Sequence, residues 1–309
     1  MPLTYLENLT LRLAQGANRL DGRLRARQAG FFQQSQNEDG GFPGRQGGSD
    51  LYYTGFGLRG LALLGELDGE PAERAARFLK SRLGGHAPIV DFFSLLYGAG
   101  LLKTAAGIDI FAEVSGDYAT AIANMFESFR RPDGGYAKTE EGQSSSTYYS
   151  FLVVLSCELI ERPVTEPRRL VDFVRSRQRE DGGFVEIGPM KRSGTNPTAA
   201  AIGTLKVLDA VDPPTREAVI DFLAESQSDE GGLLANTRIP IADILSTFTG
   251  TLTLLDLASL DAIDAGAARR YVASMELPTG GFVGGAWDQG TDVEYAFYGL
   301  AALALLSDG

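Results

Sequence analysis

A pair of glycines recurs six times along this chain, at Gly40-Gly41, Gly84-Gly85, Gly134-Gly135, Gly182-Gly183, Gly231-Gly232 and Gly280-Gly281. The intervals of 44, 50, 48, 49 and 49 residues lie close enough to one period to mark an internal repeat. Five pairs lead into an aromatic residue or leucine: Phe42, Tyr136, Phe184, Leu233 and Phe282. Several follow a Gln- and acid-rich tail, such as Gln36-Asn37-Glu38-Asp39 and Gln178-Arg179-Glu180-Asp181. One such unit cannot bury its own apolar face, so the units must pack on one another.

Each unit reads as two helices flanking its glycines. The segment before them is amphipathic, as in residues 168–178, 215–227 and 265–275, with apolar residues at helical spacing (Val219, Phe222, Leu223) and charges elsewhere. The segment after them is apolar over most of its surface and therefore buried: residues 50–64, 91–102, 144–159, 197–208, 241–257 and 292–306. The glycines fit a turn after the first helix, where positive φ is cheap for glycine alone. Small residues such as Gly55, Gly57, Gly60, Gly203 and Gly299 let the buried helices approach closely. Six inner helices within six outer ones make an all-α, α/α toroid (an α6–α6 barrel) of six helical hairpins. An open solenoid would need polar caps, whereas the last helix is apolar and wants neighbours on both sides. Residues 1–18 read as an extra N-terminal helix, and residues 19–309 as one barrel domain.

Composition removes several functions. A net charge of -12 disfavours nucleic acid and anionic membrane surfaces as partners. No charge-free apolar run of about 18 residues suggests a membrane span. Charges at Glu7, Arg12, Arg19, Asp21 and Arg23 argue against a signal peptide. One cysteine, Cys157, excludes an internal disulfide and fits a reducing, cytoplasmic setting. One histidine, His86, leaves little for a transition-metal site.

The period, together with the tail Phe173-Val174 through Gln178 to Asp181-Gly182-Gly183-Phe184, resembles the prenyltransferase and squalene-oxidase repeat. Phe31-Phe32 through Gln36 to Asp39-Gly40-Gly41-Phe42 is a second good copy, and the resemblance runs over about residues 20–306. That repeat builds protein prenyltransferase β subunits and, more distantly, the barrels of class II terpene cyclases. The resemblance implies an isoprenoid, or another apolar small molecule, in a central aromatic cavity. Tyr53, Phe93, Tyr149 and Phe248 lie early in the inner helices and suit such a lining, or else pack the core.

Zinc in protein prenyltransferases is held by an Asp-x-Cys on the fifth inner helix and a His on the last. Asp243 matches the aspartate, but Leu245 and Tyr295 stand at the other two positions, so no metal is expected and transfer would be zinc-independent. Asp243 also reads as an N-cap. Lys191, Arg192 and Arg238 are candidates for holding a diphosphate, with Mg²⁺ entering only alongside such a substrate; they read equally as solvated loop residues. Class II cyclases donate a proton from the middle acid of an Asp-x-Asp-Asp motif. Asp292-Val293-Glu294-Tyr295 resembles it, with Glu294 as donor, Asp292 as its polarising partner, and Tyr295 or Trp287 offering a π-face to a carbocation. Asp292 and Glu294 also suit the cap and first turn of a helix. Three functions follow: prenyl transfer, cyclisation through Glu294, and lipid binding or scaffolding without turnover. The β-subunit resemblance also implies a helical partner subunit, or a homodimer.

Overall fold

The computed structural model describes residues 3–84 and 88–307, which leaves His86 and Gly85 outside the described residues. The chain is mostly helical. Helix α1 (Tyr5–Arg19) precedes six outer–inner pairs: α2 (Gly22–Ser35) with α3 (Leu51–Leu64), α4 (Gly69–Ser81) with α5 (Ile89–Ala106), α6 (Tyr118–Ser128) with α7 (Thr147–Leu159), α8 (Pro167–Arg175) with α9 (Thr195–Val207), α10 (Pro213–Glu225) with α11 (Ile244–Asp256), and α12 (Ala265–Ser274) with α13 (Val293–Leu305). Most inner helices start one to three residues later than their apolar run. Asp50, Ser146, Asp243 and Asp292 stay outside as N-caps, each accepting a hydrogen bond from the backbone N–H three residues on. Helix α9 starts two residues early, at Thr195, and so does α5, at Ile89. Helix α5 runs on to Ala106 because nothing stops it before Gly107, whose φ of 70° closes the last turn. Its 18 residues have the mean hydropathy of a membrane span, 1.3. Yet it carries Asp91 and Lys103 and packs against α3 and α4, as a core helix does.

The glycine pairs do two jobs. Gly40 (φ 89°), Gly182 (φ 86°) and Gly280 (φ 92°) take the left-handed conformation, and a Cβ there would also strike the next outer helix. It would lie 2.1 Å from the Arg74 carbonyl oxygen, 2.2 Å from that of Ala218 and 2.6 Å from that of Arg27, respectively. The preceding Asp accepts from the second glycine's N–H, as Asp39 does from Gly41 (3.0 Å) and Asp181 from Gly183 (3.2 Å). The Gln of the tail donates to the first glycine's carbonyl: Gln36 to Gly40, Gln178 to Gly182, Gln227 to Gly231. The aromatic after the pair is fully buried, and its N–H is taken by a hydroxyl on the inner helix: Phe42 by Thr54, Tyr136 by Ser150, Phe184 by Thr198. The repeat's signature is thus a self-satisfied turn.

Two compact units result, one from residues up to Tyr118 together with residues 273–307, the other from Ala119 to Val272. In the second, α7, α9 and α11 pack in sequence. In the first, the last repeat returns to the first. Helix α13 packs on α3 and α1, and Gly16 of α1 sits so close to Ala304 that a Cβ would lie 2.1 Å from its carbonyl oxygen. Glu276 stands where three other repeats carry Gln, and it pairs with Arg27 of α2 at 2.8 Å and accepts from Gln28 at 3.0 Å.

Candidate active site

Within the first unit, strands β1 (Phe42–Pro43) and β2 (Ser49–Asp50) form a short antiparallel hairpin just before α3. Its tip presents Arg45 to the start of α13. Arg45 binds Asp288 through both terminal nitrogens (2.9 and 2.5 Å) and Asp292 through Nε (3.0 Å). Its guanidinium lies 5.0 Å from the Tyr295 ring centroid. Asp292 accepts from Tyr295 N–H (3.0 Å) with its other oxygen, so it is both cap and ion-pair partner. The hydrogen bonds to Asp288 hold the Arg45 cation firmly protonated and draw the Asp288 carboxyl below its usual range.

In the first turn of α13, Glu294 faces α3 and accepts a 2.6 Å hydrogen bond from Tyr52 Oη. Burial pushes its carboxyl above the ordinary carboxylate range. The Tyr52 hydrogen bond opposes that shift, and the nearby Asp292 charge adds to it. Burial, and then the Glu294 charge, raise the Tyr53 phenol likewise. Gly44, Arg45, Gln46, Tyr53, Asp292, Glu294 and Tyr295 line a pocket of about 400 Å³, a size suited to a small organic ligand. It couples an acid biased toward its neutral form to a hydroxyl that steadies its anion.

Beside this pocket α3 joins an aromatic cluster in which Phe56, Phe297, Phe93 and Tyr97 are buried. Tyr52 and Phe56 meet edge-on at 5.0 Å, and Phe56 meets Phe297 at 5.7 Å and Tyr298 at 5.1 Å. On α5, Phe93 and Tyr97 lie 5.7 Å apart, and Tyr97 Oη shares a 2.7 Å hydrogen bond with Thr10 of α1. Among these rings sits Arg59.

The residues expected from the sequence divide between the units. Asp292, Glu294, Tyr295 and Tyr53 come together in the one pocket, with Phe93 deeper on the same unit. Trp287 does not line that pocket: it is 58% exposed, its ring lying over Gly285. One face of Tyr295 is taken by Arg45. Asp243, Tyr149, Phe248, Lys191, Arg192 and Arg238 belong to the second unit. There Asp243 caps α11, its two oxygens accepting from Ser246 N (2.6 Å) and Ser246 Oγ (2.8 Å). Lys191, Arg192 and Arg238 are exposed, on the loops before α9 and α11. With Asp243 so engaged and no donor on Leu245, these positions do not fit a zinc ion. Sequence reading missed Arg59 and the Tyr52–Glu294 contact. A lone cation seven residues after Tyr52, on an otherwise apolar helix, was the available signal.

The prenyltransferase alpha-alpha toroid domain matches residues 24–78, 99–233 and 198–309. The chain belongs to that family. No protein of curated function matches this toroid. Among solved structures it is similar to Candida albicans protein geranylgeranyltransferase-I complexed with GGPP, at 18% identity over 91% of each chain and a TM-score of 0.72. It is similar also to the type II terpene cyclase MstE from Scytonema in complex with geranylgeranyl dihydroxybenzoate, at 15% identity over 98% of each chain and a TM-score of 0.62. An α-1,6-mannanase of Salegentibacter, in complex with α-1,6-mannotetrose, matches at 12% identity, a TM-score of 0.63 and 96% and 98% coverage. At such identities the likeness shows a shared toroid, and chemistry must be argued from the site.

Proposed function

We propose that this toroid binds an isoprenoid against its aromatic face and cyclises it, without zinc, by proton donation from Glu294. The observation that carries the reading is the Glu294 carboxyl itself, lining the pocket, held toward its neutral form by burial and hydrogen-bonded by Tyr52. The Glu294 proton passes to one carbon of a substrate double bond, forming a C–H bond and leaving a tertiary cation on the other carbon. The next double bond attacks that cation and closes a ring. Loss of a proton from carbon to a base or water ends the sequence, so the product is an isomer of the substrate. Tyr52 O–H stabilises the Glu294 carboxylate left behind. Geranylgeranyl compounds bound by the two similar toroids support a substrate of that class.

Incubation with all-trans geranylgeranyl substrates should yield a cyclic product of unchanged mass by mass spectrometry. Glu294→Gln should slow it by about 10²–10⁴-fold, the usual contribution of a general acid. Full activity in that variant would remove Glu294 as donor. Transfer is the second reading, favoured by the side chains of Lys191, Arg192 and Arg238, which make no ion pair among the described residues. Release of pyrophosphate from geranylgeranyl diphosphate, with Mg²⁺ and an acceptor or partner subunit, would establish it instead.

A further inference from the structure

Arg59 is a cation that makes no salt bridge among the described residues. Its guanidinium carbon lies 4.3 Å from the ring centroid of Phe56, 5.3 Å from Tyr97, 5.4 Å from Phe297 and 5.7 Å from Phe93. Its Nε is buried with no hydrogen-bond partner, and among the described residues the side chain forms no ion pair. Arginine stays charged in proteins, and Arg59 is only half-buried, so the aromatic faces cover part of its guanidinium while the rest stays open to a ligand or water. Glu294 is the acid whose field reaches it, but that carboxyl is bonded to Tyr52 and biased toward neutrality. The position is informative too. Tyr52, Phe56 and Arg59 are spaced i, i+4, i+7 on α3, so Arg59 lies about 10 Å along the helix from Tyr52, the residue bonded to the acid, at 1.5 Å per residue. A bare cation there would oppose any carbocation formed among the same rings.

We propose that Arg59 receives the carboxylate of an amphiphilic ligand whose apolar chain runs along the aromatic face toward Glu294. The inference rests on the isoprenoid reading above and adds the ligand's polar end. One guanidinium matches one monoanion, and its paired N–H groups suit the two oxygens of a carboxylate. Binding would neutralise the cation and fix which end of the chain meets the acid.

The test is calorimetric titration of geranylgeranoic acid and geranylgeraniol into the intact protein and into Arg59→Met and Arg59→Lys, each checked for folding by circular dichroism. The acid should bind the native protein about 10–100-fold tighter than the alcohol, the range of a charge-assisted hydrogen bond. Arg59→Met should abolish that preference while leaving the alcohol's affinity near native, and Arg59→Lys should keep part of it. Equal binding of acid and alcohol to the native protein, or a preference that survives Arg59→Met, would overturn the proposal and leave lipid binding standing. An Arg59-dependent preference for geranylgeranyl diphosphate over the acid would overturn the carboxylate assignment. If neither compound binds, the isoprenoid reading falls as well.

Discussion

At the scale of single residues, the site turns on how one carboxyl is kept in reserve. Tyr52 lowers the pKa of Glu294 while burial raises it, so removing the hydroxyl should move the two in a defined direction. In Tyr52→Phe the alkaline limb of the pH–kcat/KM profile should shift to higher pH. The plateau rate should fall about tenfold, because the carboxylate formed on proton transfer loses its donor. The native limb itself should decline as pH rises through the Glu294 pKa, since only the protonated acid can donate. Arg45 holds the other half of the pocket. Arg45→Met would leave Asp292, with its side chain 3% exposed, next to Asp288 with no cation. A loss of about 2 kcal/mol in denaturant unfolding is expected, less than for a fully buried pair because Arg45 is partly exposed. These roles were only half legible in the sequence. Asp292-Val293-Glu294 could be read as cap and acid, and the structure makes Asp292 a cap while pairing it with Arg45. The partner from a hairpin some 250 positions away could not be read from local spacing.

At the scale of elements, the glycine tail is a structural device rather than a catalytic one. Its visible part is Gln, Asp and the glycines; its hidden part is the hydroxyl on the following helix. Thr198 takes the Phe184 N–H at 2.8 Å in a fully buried setting. Thr198→Val preserves shape and removes that acceptor, and should cost about 1–3 kcal/mol in chemical denaturation. The same holds for Gln28, which is 0% exposed and serves both Glu276 and the Gly281 N–H. Gln28→Ala should destabilise the first unit by a similar amount. Helix number, pairing and the apolar inner set were legible because period and amphipathicity are local properties. The hydroxyl relay was not, since threonine and serine also occur wherever a helix has room for them. Nor was the Glu at position 276, whose departure from Gln makes sense only against Arg27.

At the scale of the molecule, charge and burial act together on stability. Burial raises the carboxyls of Glu186, Asp243 and Glu294 above their ordinary values of 3.8 to 4.5. A raised carboxyl binds its proton more tightly when folded, so its contribution is fully present below the ordinary range and is lost as pH climbs through the folded value. Self-repulsion from a net charge of -12 grows in the same direction. Thermal unfolding should therefore give a higher Tm at pH 5.5 than at pH 8.5, and a reversed order would contradict these assignments. The docking of Glu276 and Gly281 onto α2 carries a further consequence, for the order in which the protein is made. The unit built from residues 119–272 is continuous in sequence, so its contacts need no residue from outside that stretch. The other unit is built from two separate stretches, so Gln28 and the inner face of α3 wait for partners that are translated some 250 positions later. The candidate active site joins Tyr52 to Glu294, 242 positions apart, so it cannot assemble until the whole stretch between them has been made.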